Sequence, residues 1–389
     1  MKPLAIDSDY LWGTLLGLLE IPSPSGYTDQ VVRHTVGLLA ELGLDTELTR
    51  RGAIRAVLPG RAPSPGRALV AHVDTLGAMV RGLKESGRLA LAPVGTWSAR
   101  FAEGARVSIF SRSGVSRGTI LPLKASGHVY DAEVDRQPIG WDYVELRVDE
   151  RVSSRADLEA RGIAVGDFVG IDPAPEITET GFICSRHLDD KGGVAALLAA
   201  TKAIIESKAD IPIECHLLFT ISEEVGSGAS AVLRGDVSEL VSIDNATPAP
   251  GQESTEYGVT LAFMDSSGPF DYHLTRRLVE LCERGGIPFA RDVFRYYRCD
   301  AASAIEAGND LRTALICFGA DASHGYERVH IDSLISVARL VCDYVQSPPT
   351  VARDEKELGS IEGFPRQPSA PYPVHPTIPE ALPGGEEHR

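Results

Sequence analysis

Two adjacent carboxylates, Asp189 and Asp190, stand in the run Ser-Arg-His-Leu-Asp-Asp-Lys-Gly-Gly-Val at residues 185–194. Like charges at contact distance repel each other, so this pair is unfavourable unless a positive group lies beside it. A bound metal cation would supply that charge. Adjacent aspartates also cap ordinary helices, so the pair indicates a metal site only when further ligands accompany it.

Further histidine and acidic residues each follow a short apolar segment that predicts a strand. Because the carboxyl ends of strands in an open α/β sheet line one crevice, side chains that follow separate strands can meet there. Their placement predicts one shared site, although each motif alone is common. The members are His72 and Asp74, Asp189, Glu223 and Glu224, Asp244, and His324.

Two imidazoles and three carboxylates form a ligand set suited to zinc, cobalt or manganese, whereas an all-oxygen set would indicate magnesium or calcium. Five ligands are too many for one open catalytic zinc, which usually has three protein ligands. We therefore predict two divalent ions, most simply Zn²⁺ with Co²⁺ or Mn²⁺ as alternatives, bridged by Asp189. One ion would bind Glu224 and His324, and the other His72 and Asp244, with room for a shared water.

The segments that position these residues have mixed helix and strand character on both sides of a different middle region. Spacing and composition predict helices at residues 8–20, with Ser8 as the N-cap, at 28–42 and from 190 or 191 to 207. Short buried segments predict strands at 53–58, 68–73, 214–221, 240–243 and 313–318.

The middle region has short alternating segments, such as residues 106–110 and 143–148, and almost no helical periodicity. We predict a small β-rich domain at residues 76–175, inserted into a doubly wound, mixed-sheet α/β domain formed by residues 1–75 and 176–350. The proline-rich tail at residues 360–389 is expected to be disordered or to lie along the surface.

Composition limits the partners and the location of the protein. The net charge of −16 argues against a nucleic-acid surface, which requires a basic stripe. No apolar run approaches the roughly 20 residues that cross a membrane, and the acidic N-terminus does not resemble a signal peptide. The six cysteines include no C-x-x-C pair and predict buried thiols in a reducing compartment, so we expect a cytoplasmic protein.

Taken together, the motifs resemble the TET-like (tetrahedral) dinuclear metallo-aminopeptidases, the group of glutamyl aminopeptidases and so-called endoglucanases. The similarity extends over about residues 8–345, including the inserted region. Its main motifs are His72-Val73-Asp74-Thr75-Leu76-Gly77, Leu188-Asp189-Asp190-Lys191-Gly192-Gly193, Glu223-Glu224-Val225-Gly226, Ile243-Asp244 and Ser323-His324-Gly325, with support from residues 21–26 and Cys299-Asp300-Ala301.

The resemblance implies a zinc-peptidase-like fold and a role for each residue. Glu223 would be the general base that takes a proton from a water bridging the two metals and returns it to the leaving amine. The Asp74 carboxylate would fix the tautomer of His72. Asp190 would orient its loop after a cis peptide bond that follows Asp189. The resemblance also implies peptide substrates and a homo-oligomer of dimers, up to a dodecamer, with the inserted domain serving dimerisation and substrate access.

Departures from the family pattern leave alternatives open. His187 stands where the family often has a small residue, so it could line the substrate pocket. The last motif, residues 323–330, has an unusual form that favours His324 as the ligand over His330. Asp244 could belong to a simple turn, and Glu223 with its neighbour could be a solvated helix cap.

The leading hypothesis is a metal-dependent aminopeptidase that removes N-terminal residues from short peptides. A deacylase of N-acyl amino acids would use the same chemistry on a different amide. The alternative from another class is a metal-binding assembly protein without catalytic activity. Substrates with free and with blocked amines separate the two enzymes, and the preferred side chain is not predicted from the sequence.

Overall fold

The computed structural model describes residues 3–356 and 358–368. It contains a 12-stranded mixed sheet with its helices and a separate closed barrel of six antiparallel strands. This arrangement confirms the predicted mixed α/β fold with an inserted β-rich part. Within the described residues, no helix is both long enough and apolar enough to cross a membrane.

Helices occur mainly before and after the barrel, as the periodicity of the sequence predicts. They are α1 (Ser8–Leu19), α2 (Asp29–Glu41), α3 (Gly127–Tyr130), α4 (Glu133–Arg136), α5 (Arg155–Ala160), α6 (Leu188–Ser207), α7 (Tyr272–Gly285), α8 (Asp300–Glu306) and α9 (Ile331–Val345).

Strands of the large sheet come from both halves of the chain. They are β1 (Thr46–Leu48), β2 (Ile54–Leu58), β3 (Ala62–His72), β10 (Glu176–Ile177), β11 (Phe182–Ser185), β12 (Ile213–Thr220), β13 (Val237–Ala246), β14 (Val259–Asp265), β15 (Gly268–Pro269), β16 (Phe289–Val293), β17 (Arg312–Asp321) and β18 (Glu327–His330).

The barrel is formed by the strands that lie between β3 and β10 in the chain. They are β4 (Gly77–Leu83), β5 (Arg88–Val94), β6 (Arg106–Ser111), β7 (Gly114–Pro122), β8 (Val144–Val148) and β9 (Phe168–Ile171). The barrel has its own apolar core, separate from that of the large sheet. The boundaries of the inserted domain at residues 76 and 175 stay a prediction.

Four central strands fix the edge at which the predicted site residues stand. Strand β3 pairs in parallel with β12 and β13, and β13 pairs in parallel with β17. Residues Ala68, Leu69, Val70 and Ala71 of β3 are fully buried, and each large apolar side chain removed from water stabilises the fold by about 1.5–3 kcal/mol. Helix α6 packs against β3, β13 and β17.

Close packing of α6 depends on its glycines. A Cβ atom added at Gly192 would lie 3.1 Å from the ring of Phe318 in β17. The six cysteines are unpaired, and all except Cys184 are buried.

Several predicted boundaries differ from the structure. The N-cap of α1 is Asp7 and not Ser8, because Asp7 has an extended backbone and its carboxylate accepts the Tyr10 N–H at 3.0 Å. Strand β3 starts six residues before the predicted position because its first part, which contains two prolines, also pairs with β12, where Ala62 lies opposite Ile213. Residues 369–389 of the proline-rich tail lie outside the described residues.

Candidate active site

Four of the central strands bring the predicted residues to one edge of the sheet. His72 is the last residue of β3, and Asp244 lies near the end of β13. Glu223 and Glu224 lie in the loop after β12, and His324 lies in the turn after β17. Because these strands are parallel neighbours, their carboxyl ends face the same crevice. The structure therefore brings together side chains that are far apart in the chain.

Asp189, at the start of α6, lies between two groups of possible metal ligands. The first group is His72, Asp189 and Asp244, and the second is Asp189, Glu224 and His324. In each group the ligand atoms lie within 4.8 Å of one another. One Asp189 oxygen lies 3.1 Å from His72 Nε2, and the other lies 3.3 Å from His324 Nε2. This is the division that the sequence predicts.

The charges of this cluster suit bound cations. Within residues 3–356, the ion-pair partners of Asp189 and Glu224 are the imidazoles of His72 and His324. Lys191, although adjacent in sequence, donates its ammonium hydrogen to the Ile21 carbonyl at 2.7 Å. In the part of the chain that the structure describes, these carboxylates are thus buried without a lysine or arginine partner, an arrangement that a divalent cation would stabilise.

The pKa values show the same shortage of positive charge. Burial and the charge of Asp189 raise the pKa of Glu224 well above its usual value, and they raise the pKa of Asp244 to about 7. Burial also acts to raise the pKa of Asp189, but hydrogen bonds from His324 and His72 outweigh it and lower that pKa. The donor atoms, their burial and their charge all fit a pair of divalent cations.

Each imidazole has Nδ1 against a backbone carbonyl and Nε2 towards Asp189. His72 Nδ1 donates to the Asp74 carbonyl at 3.0 Å, and His324 Nδ1 donates to the Thr96 carbonyl at 2.9 Å. Such hydrogen bonds fix the tautomer that leaves Nε2 available to a metal. Thr96 follows β5, so the inserted barrel takes part in orienting His324.

The Asp74 carboxylate has contacts in addition to the one with His72 that the family resemblance implies. Its Oδ1 atom lies 3.6 Å from His72 Nδ1, farther than the carbonyl of the same residue. The carboxylate accepts the Ser25 hydroxyl at 2.5 Å and the Glu223 N–H at 3.2 Å. Asp74 therefore hydrogen-bonds His72 through its main chain, while its carboxylate lies at ion-pair distance from His72 and holds the Glu223 peptide.

Glu223 belongs to neither ligand group, yet it lies beside both the site and the cleft. Its carboxylate is 3.9 Å from His72 Nε2, and its side chain is 13 % exposed. Burial raises the pKa of Glu223 well above its usual value, with a further contribution from Asp244. A carboxylate of this kind can accept and return a proton.

Asp190 lies next to Asp189 but points elsewhere. The peptide bond between the two residues is cis, as the resemblance implies. The Asp190 carboxylate accepts the His72 N–H at 3.0 Å. A Cβ atom at Gly193 would lie 2.1 Å from the other Asp190 oxygen, so a glycine is needed there.

Two further histidines have other surroundings. His330 is the N-cap of α9, where its Nδ1 accepts the Asp332 N–H at 3.2 Å, and its Nε2 donates to the Thr180 carbonyl at 2.9 Å. The structure thus brings His324, and not His330, to the cluster. His187 hydrogen-bonds the Ile171 carbonyl at 3.0 Å, and burial lowers its pKa to about 3.

Sequence reasoning missed two residues of the site. Asn245 donates to Asp189 at 2.7 Å and to Asp244 at 3.2 Å, and its position beside Asp244 at a strand end was an available signal. Glu327 accepts the main-chain N–H groups of Asp189 and His324. Glu327 stands in the last motif, but nothing in its spacing indicates a contact with Asp189.

The cluster opens on a cleft of 1580 Å³, larger than a typical pocket for one small ligand. Asp189, Glu223 and Glu224 line its floor. Its wall includes Tyr297 and the segment around it, and this segment supplies both aromatic and arginine side chains. A space of this size can hold several residues of a peptide.

Comparisons with known proteins agree with this geometry. Residues 52–340 match the model of the M42 glutamyl aminopeptidase family. A relative from Bacillus subtilis, described as putative aminopeptidase YhfE, is 41% identical over 332 residues, which cover 85% of this chain and 96% of the relative. Glutamyl aminopeptidase from Lactococcus lactis is 24% identical over 267 residues, which cover 66% of this chain and 73% of the relative.

Solved structures show the same fold. A TET aminopeptidase from a marine sediment archaeon of the Thaumarchaeota has a TM-score of 0.79 at 18% identity, over 87% of this chain and 96% of that chain. The TET1 peptidase of Pyrococcus horikoshii is described as assembling into a tetrahedron or a large octahedral shell. It has a TM-score of 0.75 at 21% identity, over 86% of this chain and 99% of that chain. The family model and the Bacillus relative each cover most of the sequence, and the chain therefore belongs to the M42 glutamyl aminopeptidase family.

Proposed function

We propose that this protein is a metal-dependent aminopeptidase that hydrolyses the N-terminal peptide bond of short peptides. One observation carries the proposal: Asp189 is shared by two groups of ligands, and the unshared carboxylate of Glu223 stands beside them at the floor of a cleft. The family of the chain supports the same activity.

Two divalent ions, most simply zinc, are the proposed cofactors. His72 and Asp244 would hold one ion, Glu224 and His324 would hold the other, and Asp189 would contact both. When bound, such ions lower the pKa of water and polarise the carbonyl of the scissile bond. Cobalt and manganese suit the same nitrogen and oxygen donors.

The side chains of the protein have the remaining tasks. Glu223 takes a proton from the attacking water on its carboxylate and passes it to the nitrogen of the leaving amine. Asp74 holds the Glu223 peptide through the hydrogen bond at 3.2 Å, so the carboxylate stays at the floor of the cleft. Asn245 holds the Asp189 carboxylate in its orientation.

The preferred residue at the peptide N-terminus is not part of the proposal. Relatives are described as a lysyl aminopeptidase in Pyrococcus furiosus and a glutamyl aminopeptidase in Lactococcus lactis, so side-chain preference differs among similar proteins. A cytoplasmic location stays a prediction.

We further propose a homo-oligomer built from dimers, up to a dodecamer. Support comes from related structures, one described as a dodecamer and another as a tetrahedron or octahedral shell. Light scattering on the purified protein tests this proposal, and a monomer at micromolar concentration would contradict it.

The activity is tested with matched substrates that have a free or an acetylated amine. The protein is stripped with a chelator and reloaded with zinc, cobalt or manganese. We expect turnover of free-amine aminoacyl anilides after reloading and little turnover of the acetylated partners. Preference for the acetylated substrates would indicate a deacylase. Failure of every substrate with all three metals would instead support a binding protein without catalytic activity.

A further inference from the structure

Glu327, the first residue of β18, lies where two parts of the metal cluster meet. Its side chain is buried, with 2 % exposed. One carboxylate oxygen accepts the main-chain N–H of Asp189 at 3.1 Å, and the other accepts that of His324 at 3.0 Å. A single side chain thus contacts two of the proposed ligands, which come from separate segments.

The two N–H groups need an acceptor from a side chain because of their local backbone. Asp189 has non-helical dihedral angles at the start of α6, and His324 has a φ of +66° in its turn. Neither conformation continues a regular ladder that would supply a carbonyl. A buried N–H without a partner is unfavourable, so the Glu327 carboxylate stabilises both conformations at once.

Strand pairing holds Glu327 in place from two sides. Glu327 lies opposite Ser185 of β11, the strand that leads to Asp189. The same β18 strand pairs with β17, where Val329 lies opposite Ala320, and β17 leads to His324. The carboxylate is therefore fixed between the two segments whose spacing it would control.

We propose that Glu327 is a positioning residue that sets the distance between the Asp189 carboxylate and the His324 imidazole before any metal binds. The inference rests on the proposed function, since it takes both residues as metal ligands. Glu327 touches neither substrate nor metal in this role. Its effect on activity passes through the affinity of the site for the ion that Asp189 and His324 share.

A matched control distinguishes this role from general stabilisation by a buried carboxylate. Glu239 is 1 % exposed and also accepts two hydrogen bonds, from the Tyr344 hydroxyl at 2.7 Å and from the Thr350 N–H at 2.5 Å. It lies in β13 far along the strand from Asp244. Glu239→Gln removes a buried charge at the opposite end of β13 from Asp244, and the hydrogen bonds of Glu239 go to Tyr344 and Thr350, which are not proposed ligands.

The experiment measures cobalt binding by chelator competition in metal-free wild-type protein, Glu327→Gln and Glu239→Gln. The amide of Glu327→Gln has only one accepting oxygen, so one of the two main-chain donors loses its partner. We expect the affinity for one of two cobalt ions to fall about 10- to 100-fold, with a changed cobalt absorption spectrum. Glu239→Gln should bind both ions as the wild type does.

The outcomes separate this inference from the proposed function. If the wild-type protein binds no cobalt, the proposed function fails. If the wild type binds two ions and Glu327→Gln binds them with the same affinity, the role of Glu327 is wrong. Equally weakened cobalt binding in both variants would also overturn the proposal, because general destabilisation would then explain the loss of affinity.

If Glu327→Gln does not fold, a measurement on the wild-type protein tests the proposal. Hydrogen exchange of the metal-free protein should show slow exchange of the Asp189 and His324 amides, because Glu327 accepts both. Exchange of these two amides at the rate of an unstructured peptide would contradict the proposal.

Discussion

The half of the site around His72 lies inside the large sheet, whereas the half around His324 lies near the surface and depends on the barrel. The His72 side chain is 1 % exposed, and the His324 side chain is 33 % exposed. His72 is oriented by a carbonyl two residues away in its own loop. His324 is oriented by Thr96, which is 228 residues away in the chain.

The difference shows that the two histidines of one site can be held in place by different parts of the molecule. The His72 half is part of a buried core and forms when the sheet forms. The His324 half requires the barrel to be docked and the turn after β17 to be held by Glu327. We therefore expect changes to the barrel to affect one half of the site more than the other.

The largest effect is expected where the two halves meet. Asp189→Asn removes the negative charge of the carboxylate that both ligand groups share, so both ions should be lost together with all detectable activity. Asp190→Asn should keep both ions, because Asp190 contacts the His72 N–H and belongs to neither group. Metal content after reloading, measured by mass spectrometry, checks this, and equal losses in the two variants would show that the shared ligand is misassigned.

A second change should remove catalysis and leave both halves intact. Glu223→Gln keeps the shape of the side chain but cannot accept a proton. We expect kcat to fall by about 10²- to 10⁴-fold, while metal content stays at the wild-type value. Steady-state kinetics on reloaded protein checks this, and loss of a metal ion from the variant would identify Glu223 as a ligand.

A change in the barrel should affect the His324 half alone. A Cβ atom at Gly95 would lie 2.4 Å from a Leu76 methyl and 3.6 Å from the Glu224 side chain, so Gly95→Val should displace the segment that carries Thr96. We expect about 10- to 100-fold weaker binding of one cobalt ion and normal binding of the other.

The barrel itself provides a matched control for that change. Gly104 has a φ of +81°, close to the +83° of Gly95, but among the described residues no atom lies within 4 Å of its Cβ position. Gly104→Val therefore introduces the same backbone strain without a clash. If both variants lose cobalt affinity equally, backbone strain explains the effect, and the barrel has no special relation to His324.

The smallest effect is expected at His330, the alternative to His324 as the last metal ligand. His330→Ala removes the side chain that caps α9, so the free energy of unfolding should fall by about 0.5–2 kcal/mol. Metal content should not change. Chemical denaturation and metal analysis of the same sample check both statements, and loss of an ion would reverse the assignment of the last ligand.

The position of the site was predictable because it follows from strand order. His72, Asp244 and His324 each stand at or after a buried strand, and parallel neighbours place such ends at one edge. Contacts between distant segments were not predictable in the same way. Thr96 acts through a carbonyl that any residue possesses, and Glu327 reaches Asp189 only because β18 pairs with β11.

The predicted N-cap of α1 was wrong for a related reason. Ser8 and Asp7 are both good N-cap residues, and the choice between them depends on backbone angles that composition does not determine. For Asp74, the resemblance implied the carboxylate as the partner of His72. The carboxylate lies 3.6 Å from His72 Nδ1, the carbonyl of the same residue is nearer, and the carboxylate also binds Ser25 and the Glu223 peptide.

The hydrogen bond from His324 to Thr96 restricts how this protein can be re-engineered. A shortened version that joins the two parts of the catalytic sheet directly would retain all five proposed ligands and still lack the acceptor for one of them. A chimera that exchanges the barrel for that of a relative would have to preserve the path of the backbone through Gly95 and Thr96. The insertion thus supplies a main-chain acceptor to the proposed site at this junction.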